Sequence, residues 1–206
     1  MSENFFVLSG DGLNNINLDE MARSHFDSGA LVTIAVTRSN TPWLYGVVET
    51  NDSGIVKCFY EKPSEFRGTI VNTGVYIMNK SVLSFLSDGC YDFAKDLFPL
   101  VLKKASINTY FHNGYWNDIG NPQSYFESNF FVLKNDKFPW MKKTCILKNG
   151  NLTEKNSEID GSLNECIVGK NCTVKGDFER CIFVDGVSVT GRGKNAVFTQ
   201  HGKIQL

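Results

Sequence analysis

Six cysteines without a single C-x-x-C pair, no long apolar run and no excess of charge define this chain first by what it lacks. Without paired cysteine spacings there is no signature of a structural zinc site or a disulfide framework, which points to a reducing cytoplasm. No stretch approaches the ~18 apolar residues of a transmembrane helix, and the N-terminus lacks the basic-then-apolar layout of a signal peptide. The formal net charge is −1, so no global field recruits nucleic acid or an anionic membrane. Histidines occur only at 25, 112 and 201, too scattered for metal-ligand spacing. What remains is an ordinary globular composition, 42% hydrophobic and 21% charged over 206 residues. That length suits one domain with a small appendage. The cysteines at 58, 90, 145, 166, 172 and 181 lie largely within apolar strand patterns, where cysteine behaves as a small hydrophobe.

Residues 4–9 (NFFVLS) form a short apolar run that ends at Gly10-Asp11-Gly12. An open α/β sheet delivers a carboxylate to the carboxyl end of a strand in this way, where ligands and metals sit. Asn17 with Glu20 reads as a capping box, Leu18, Met21, Ala22 and Phe26 repeat at helical spacing, and Gly29 closes the helix. Residues 30–36 are continuously apolar, as in a strand covered on both faces. Strand–helix–strand is the unit of a parallel sheet. Runs 45–50 and 55–60, joined by Asn51-Asp52-Ser53-Gly54, read as a hairpin, and 69–78 as another strand. Asn79 and Asp92 are placed to cap two short helices, the second with Phe93, Leu97, Leu100 and Val101 on one face. Residues 107–111 return to strand. Asn121-Pro122 opens a helix with Tyr125, Phe126, Phe130 and Leu133 on its apolar face. Residues 135–157, rich in Lys, Asn and Thr, read as a linker. From Glu158 apolar residues recur near every six, with Gly and Asn at the corners, over 168–174 and 184–189. That is the rhythm of a hexapeptide β-helix, with barely two coils where stability wants ~3 or more.

Chemistry-bearing residues are spread along the first 120 positions. Magnesium takes oxygen ligands and usually only one or two carboxylates, with phosphates and water completing its shell. Asp11 and Asp118, each after an apolar or aromatic strand, suit that role. Either could instead merely shape a turn or end a strand. In Glu61-Lys62-Pro63 the proline prevents the strand from continuing; the carboxylate suits hydroxyl donors and the ammonium a phosphate. Asn72-Thr73-Gly74 sits mid-strand although Asn and Gly are poor strand formers, which predicts a bulge or a close backbone approach to ligand. Gly46 begins a strand. Tyr115 and Trp116 have two readings, lining a ligand pocket or, as large aromatics before a strand end more often do, filling the core, and Lys95 suits a solvated helix face.

In order, Gly10-Asp11, Tyr45-Gly46-Val47-Val48, Glu61-Lys62-Pro63, Asn72-Thr73-Gly74 and 114–120 (GYWNDIG) resemble the sugar-1-phosphate nucleotidyltransferases, which make nucleotide-sugars. GYWNDIG and the continuation NPQSYFESN are most similar to the mannose-1-phosphate guanylyltransferase and NDP-sugar synthase branch. The resemblance implies that Asp11 and Asp118 hold a catalytic Mg2+. It also implies that Glu61 accepts hydrogen bonds from sugar hydroxyls, Lys62 meets the sugar's phosphate, the Asn72 amide reads the sugar, and Gly46 lets the sugar approach the main chain. The implied fold is α/β: a partial Rossmann-like mixed sheet flanked by helices over 1–134, the linker 135–157, and a short left-handed β-helix over 158–206.

The family's G-x-G-T-R-x-x-P loop, which wraps the triphosphate with backbone N–H groups, has no counterpart among these residues; Gly191-Arg192-Gly193 lies in the tail. The expectation is therefore the sugar-and-metal half of a cytoplasmic enzyme, truncated or split and inactive alone. Its partners would be a sugar-1-phosphate, a nucleoside triphosphate only if the missing segment is supplied, and further subunits in a homo- or hetero-oligomer, with neither nucleic acid nor membrane. The strand at 4–9 would expose an apolar sheet edge. A second reading is a non-catalytic sugar-phosphate-binding or regulatory subunit docking through that edge and the β-helix. A hexapeptide acyltransferase is a third, but two coils cannot build the usual trimeric prism and no histidine lies within them.

Overall fold

A computed structural model describes residues 3–86, 89, 92–135 and 146–206. The chain divides into two compact units, Met1–Asp118 and Ile119–Leu206. In the first, β1 (Asn4–Leu8), β2 (Gly12–Asn14), α1 (Leu18–Ser28), β3 (Val32–Arg38), β4 (Gly46–Thr50), β5 (Val56–Glu61) and β6 (Ile70–Asn79) are followed by α2 (Phe98–Leu102), β7 (Ile107–Phe111) and β8 (Trp116–Asp118).

β3 is buried from Val32 through Thr37 and lies between β6, the central strand, and a parallel β7. β1 and β3 run in the same direction, but they are not neighbours: β6 lies between them, antiparallel to both. The expected parallel unit is thus interrupted by a strand that arrives later in the chain. One face of the sheet packs Val32, Ile34, Met78 and Tyr76 against Phe98 and Val101 of α2. The other packs Ala35, Val75 and Ile77 against Met21 of α1. The result is a mixed α/β sheet with helices on both faces.

Local chemistry sets the element ends. The Asn17 side chain accepts from the N–H groups of Asp19 and Glu20, and Gly29 closes α1 at φ 61°. Glu20 does not complete the capping box; its carboxylate accepts from the Tyr110 hydroxyl at 3.0 Å. Phe26, expected on the apolar face of α1, is 63% exposed, and His25 takes the buried place beside Met21. Asn51 Oδ1 accepts from Ser53 and Ile55, holding the β4–β5 turn. Asn79 caps a 3-10 helix (Lys80–Phe85), and Asp92 caps a single π-helical turn (Phe93–Leu97) that runs into α2.

His25 is enclosed, its Nδ1 2.9 Å from Thr33 Oγ1 and its Nε2 3.2 Å from Asn4 Oδ1. Asn4 Oδ1 also accepts from Asn79, so Nε2 carries the proton and Nδ1 accepts from the threonine. Burial lowers the pKa of His25, and of His112 despite that ring's hydrogen bond to the Tyr115 carbonyl. The unfolded state, with histidine near 6.5, then binds more protons than the folded state in mild acid. Stability present above that value is lost as pH falls below it. The urea midpoint is expected to drop between about pH 7 and pH 5; a flat profile would show that neither ring is held neutral.

The second unit contains α3 (Pro122–Lys134), β9 (Ile146–Lys148), β10 (Asn151–Thr153), β11 (Glu158–Asn164), β12 (Ile167–Val168), β13 (Thr173–Phe183), β14 (Ser188–Thr199) and β15 (Gly202–Gln205). From β10 onward the chain coils as a β-solenoid. Leu152 pairs beside Ile167, Ile167 beside Ile182, and Ile182 beside Val197. Each rung lies 15 residues after the one before, where three six-residue faces would give about 18. This face has four rungs rather than the two expected: Leu152 supplies one from within the predicted linker, and Val197 another from beyond the second expected coil. Two strands, β9 and β10, lie in that 135–157 stretch; residues 136–145 are outside those described. One corner recurs in left-handed backbone at Glu165, Arg180 and Asn195, with φ 49°, 50° and 49°. Cys166, Cys172 and Cys181 fill the interior with Phe178 and Phe183. Asn121 caps α3, which lays Phe126 and Phe130 over the Leu152–Ile167–Ile182–Val197 ladder. Tyr125, expected on that face, is 44% exposed.

Candidate active site

The first unit gathers the chemistry-bearing residues at the ends of its strands. Ser9 follows β1; its N–H donates to the Gly74 carbonyl at 2.9 Å, and its hydroxyl donates to Oδ1 of Asp11. Next in the chain, Gly12 opens β2 and pairs with Asp118 on β8. Asp11 therefore lies one residue from the position directly opposite Asp118.

β4 and β5 bring in the second group. Gly46 pairs with Glu61. A Cβ at Gly46 would lie 2.5 Å from the Phe59 ring and 3.0 Å from Glu61 Oε2, so glycine here makes room for side chains of its own hairpin. Lys62 leaves the ladder at φ 45°, its N–H donating to the Tyr45 carbonyl at 3.1 Å. A left-handed lysine before proline is disfavoured twice over, by its own Cβ and by the following ring, a cost on the order of 1–2 kcal/mol.

The third group rests on a bulge. Ile34 and Val36 of β3, two residues apart, oppose Tyr76 and Asn72, four apart on β6. The extra length is taken up around Gly74, at φ 77°. Thr73 donates its hydroxyl to the Ala35 carbonyl at 2.8 Å, and Asn72 Oδ1 accepts from the Gly74 N–H at 3.0 Å. The poor strand formers at 72–74 do mark a bulge.

Asp11, Gly46, Glu61, Lys62, Asn72 and Asp118 all line one cavity of about 250 Å3, together with Ser9, Tyr45, Thr73, Gly74 and Trp116. Trp116, for which the sequence favoured the core, is part of this wall. Its Nε1 donates to the Thr73 carbonyl at 2.9 Å, and its ring meets Tyr45 edge-on at 5.0 Å. Burial, and then the Asp118 carboxylate, raise the Tyr45 pKa. Sequence offered only adjacency to Gly46 and Asp118 as a signal for these aromatics. Lys95 lies away from the cavity, 3.9 Å from Asp92.

Oxygen donors at Asp11, in the turn just before β2, and at Asp118, at the end of β8, match the hard-ligand preference of Mg2+. Among the described residues no group of three or more His, Cys, Asp or Glu forms a metal cluster. A larger cavity of about 440 Å3 lies in the second unit between α3 and the apolar ladder, with Glu154 and Asp185 at its wall. None of the candidate residues reaches it. No helix among the described residues is long and apolar enough to cross a membrane.

A glucose-1-phosphate adenylyltransferase from Acetivibrio thermocellus is 35% identical over 139 residues, 62% of this chain and 32% of that protein. The mannose-1-phosphate guanylyltransferase catalytic subunit beta of Drosophila melanogaster is 35% identical over 124 residues, 60% of this chain and 34% of its own length. The chain thus spans about a third of each of these relatives. The fold is shared with HddC from Yersinia pseudotuberculosis, at TM-score 0.53 and 23% identity over 61% of this chain and 54% of that one. The family described as nucleotidyl transferase matches residues 1–135, and the chain belongs to it.

Proposed function

We propose that the cavity of the first unit binds a sugar-1-phosphate beside Mg2+ for nucleotidyl transfer: sugar-1-phosphate and nucleoside triphosphate give NDP-sugar and pyrophosphate. The observation that carries this reading is the meeting of Asp11, Glu61, Lys62, Asn72 and Asp118 on one cavity. Sugar-1-phosphates also appear in the names of the two relatives. In the reaction a phosphate oxygen of the sugar phosphate attacks the α-phosphorus, and the bond to the departing pyrophosphate breaks. Two polyanions must meet, so catalysis consists chiefly of positioning and charge neutralisation. Lys62 neutralises the sugar's phosphate, and its strained backbone sets the ammonium at the cavity rim. Glu61 accepts from sugar hydroxyls, and Asn72 donates to a sugar oxygen. Asp11, oriented by Ser9, and Asp118 hold the ion, which when bound supplies charge stabilisation at the phosphates. Gly46 acts by admitting Phe59 and Glu61 to their places, and so shapes the cavity from behind.

The triphosphate is held, in this reading, by polypeptide beyond these 206 residues. Phe6 and Leu8 on β1 are 39% and 54% exposed, an apolar edge suited to such a segment. Calorimetry of the chain against α-D-glucose 1-phosphate and α-D-mannose 1-phosphate is expected to show binding of at least one, tighter with Mg2+. Silence toward both, with and without the ion, would remove the site. The chain alone, given either sugar phosphate, nucleoside triphosphates and Mg2+, is expected to release no pyrophosphate above background. Turnover would show that the triphosphate site lies within these residues. A non-catalytic sugar-phosphate-binding subunit is the second reading, favoured by the same open edge.

A further inference from the structure

Tyr76 has no contact with the cavity, yet it controls a residue that does. The bulge in β6 is the reason. On a straight strand Asn72 and Tyr76 would stand about 13 Å apart, whereas their partners Val36 and Ile34 span only about 7 Å. Shortened in this way, the strand lets Asn72 Nδ2 donate to the Tyr76 hydroxyl at 2.8 Å. The other end of the same carboxamide is also committed, because Asn72 Oδ1 accepts from the Gly74 N–H at 3.0 Å. An inverted amide would set NH2 against the Gly74 N–H, whereas at the other end the tyrosine hydroxyl would donate to the carbonyl. The Gly74 N–H therefore sets which end of the amide is which, and the Tyr76 hydroxyl holds the Nδ2 end in place.

The tyrosine is itself immobilised. Tyr76 is buried, its ring edge-on to Phe98 at 5.4 Å and to Phe93 at 5.9 Å. Burial pushes its hydroxyl pKa up to about 12, with smaller contributions from the Glu61 and Asp92 carboxylates. The hydroxyl thus stays protonated and lies within the field of Glu61, the acceptor on the same cavity.

We infer that Tyr76 is a positioning residue that holds the Asn72 carboxamide, whose polarity the Gly74 N–H sets, so that it presents an N–H to the ligand on the cavity it shares with the acceptor Glu61. The site then reads a donor–acceptor pair: one ligand hydroxyl donates to Glu61, and another ligand oxygen accepts from Asn72. This matches a polyhydroxylated ring and disfavours a ligand that offers only donors. The inference rests on the sugar-phosphate reading of the cavity for its ligand, but not for the geometry of the lock.

The test is Tyr76→Phe in the full chain, which deletes one oxygen and keeps the ring packing. In ligand-free protein the Asn72 side-chain NH2 resonances are expected to shift and to exchange faster, with little change in Tm. Affinity for whichever of α-D-glucose 1-phosphate and α-D-mannose 1-phosphate binds is expected to fall about tenfold, whereas Asn72→Ala abolishes that binding. Unmoved Asn72 resonances would overturn the lock whether or not any sugar phosphate binds. Affinity within twofold of wild type in Tyr76→Phe, while Asn72→Ala binds nothing, would overturn its role in recognition. If the wild-type chain binds neither sugar phosphate, the cavity reading fails, and the amide resonances still decide the lock.

Discussion

Asp118→Asn is expected to eliminate Mg2+-dependent binding in the first unit. The substitution keeps the size of the side chain and one oxygen donor but removes a full negative charge from the two carboxylates proposed to hold the ion. Loss of outer-shell partners alone typically costs 10–100-fold in metal affinity; removing a charged ligand is expected to cost about 100-fold or more. The fold should tolerate the change, because residue 118 contributes to the β2–β8 pair through its backbone opposite Gly12. Titration with Mn2+, followed by electron paramagnetic resonance or calorimetry, measures the effect directly. Asp177→Asn provides the control: Asp177 pairs with Arg192 on the solenoid surface at 3.2 Å and should leave metal binding unchanged. Glu61→Gln separates the roles further, reducing sugar-phosphate affinity without altering the ion's. Unchanged Mn2+ affinity in Asp118→Asn would take this residue out of the metal site.

The largest expected loss of stability comes from the other unit. Gly176 sits at φ 116° in β13, paired between Gly161 and Gly191 of the neighbouring coils. A methyl group there would run into the Gly191 backbone carbonyl. Gly176→Ala thus combines a backbone conformation that L-residues resist with a clash against main chain that cannot rotate away. The combined cost is on the order of 3 kcal/mol or more. For a chain of this size that corresponds to a Tm decrease of about 6–12 °C. Gly191→Ala has the same φ problem, at 136°, but meets nothing within 4 Å, so it should lose less. Equal Tm values for the two variants would mean that the coils adjust to admit the methyl group.

The difference between legible and illegible features follows the range of the forces involved. Asn17, Asn51, Asp92 and Asn121 cap or hold their own segments, so turns and helix starts could be read where they stand. Asn72-Thr73-Gly74 was legible as a break for the same reason, since a poor strand former inside a strand is a local conflict. The consequence of the break was not. That Asn72 reaches Tyr76 depends on how β6 lies against Ile34 and Val36, a pairing between segments more than thirty residues apart. Gly46 makes the same point, because its need for glycine comes from Phe59 and Glu61 across the hairpin. Trp116 shows it again: an aromatic residue in a strand looks like core until its neighbours leave one side of it open to a cavity.

Residue chemistry and order along the chain were enough to nominate a carboxylate pair, a lysine before proline and an asparagine within a strand as one set, and to anticipate sheet, helices and coiled tail. Only folding could make that set a place, because the β2–β8 pair, the β4–β5 hairpin and the bulge in β6 bring Asp11, Glu61, Asn72 and Asp118 to a common wall. The solenoid's 15-residue step was decided in the same way. Apolar spacing along a segment reports which residues turn inward, whereas the length of a coil depends on which residues of the next coil accept its hydrogen bonds.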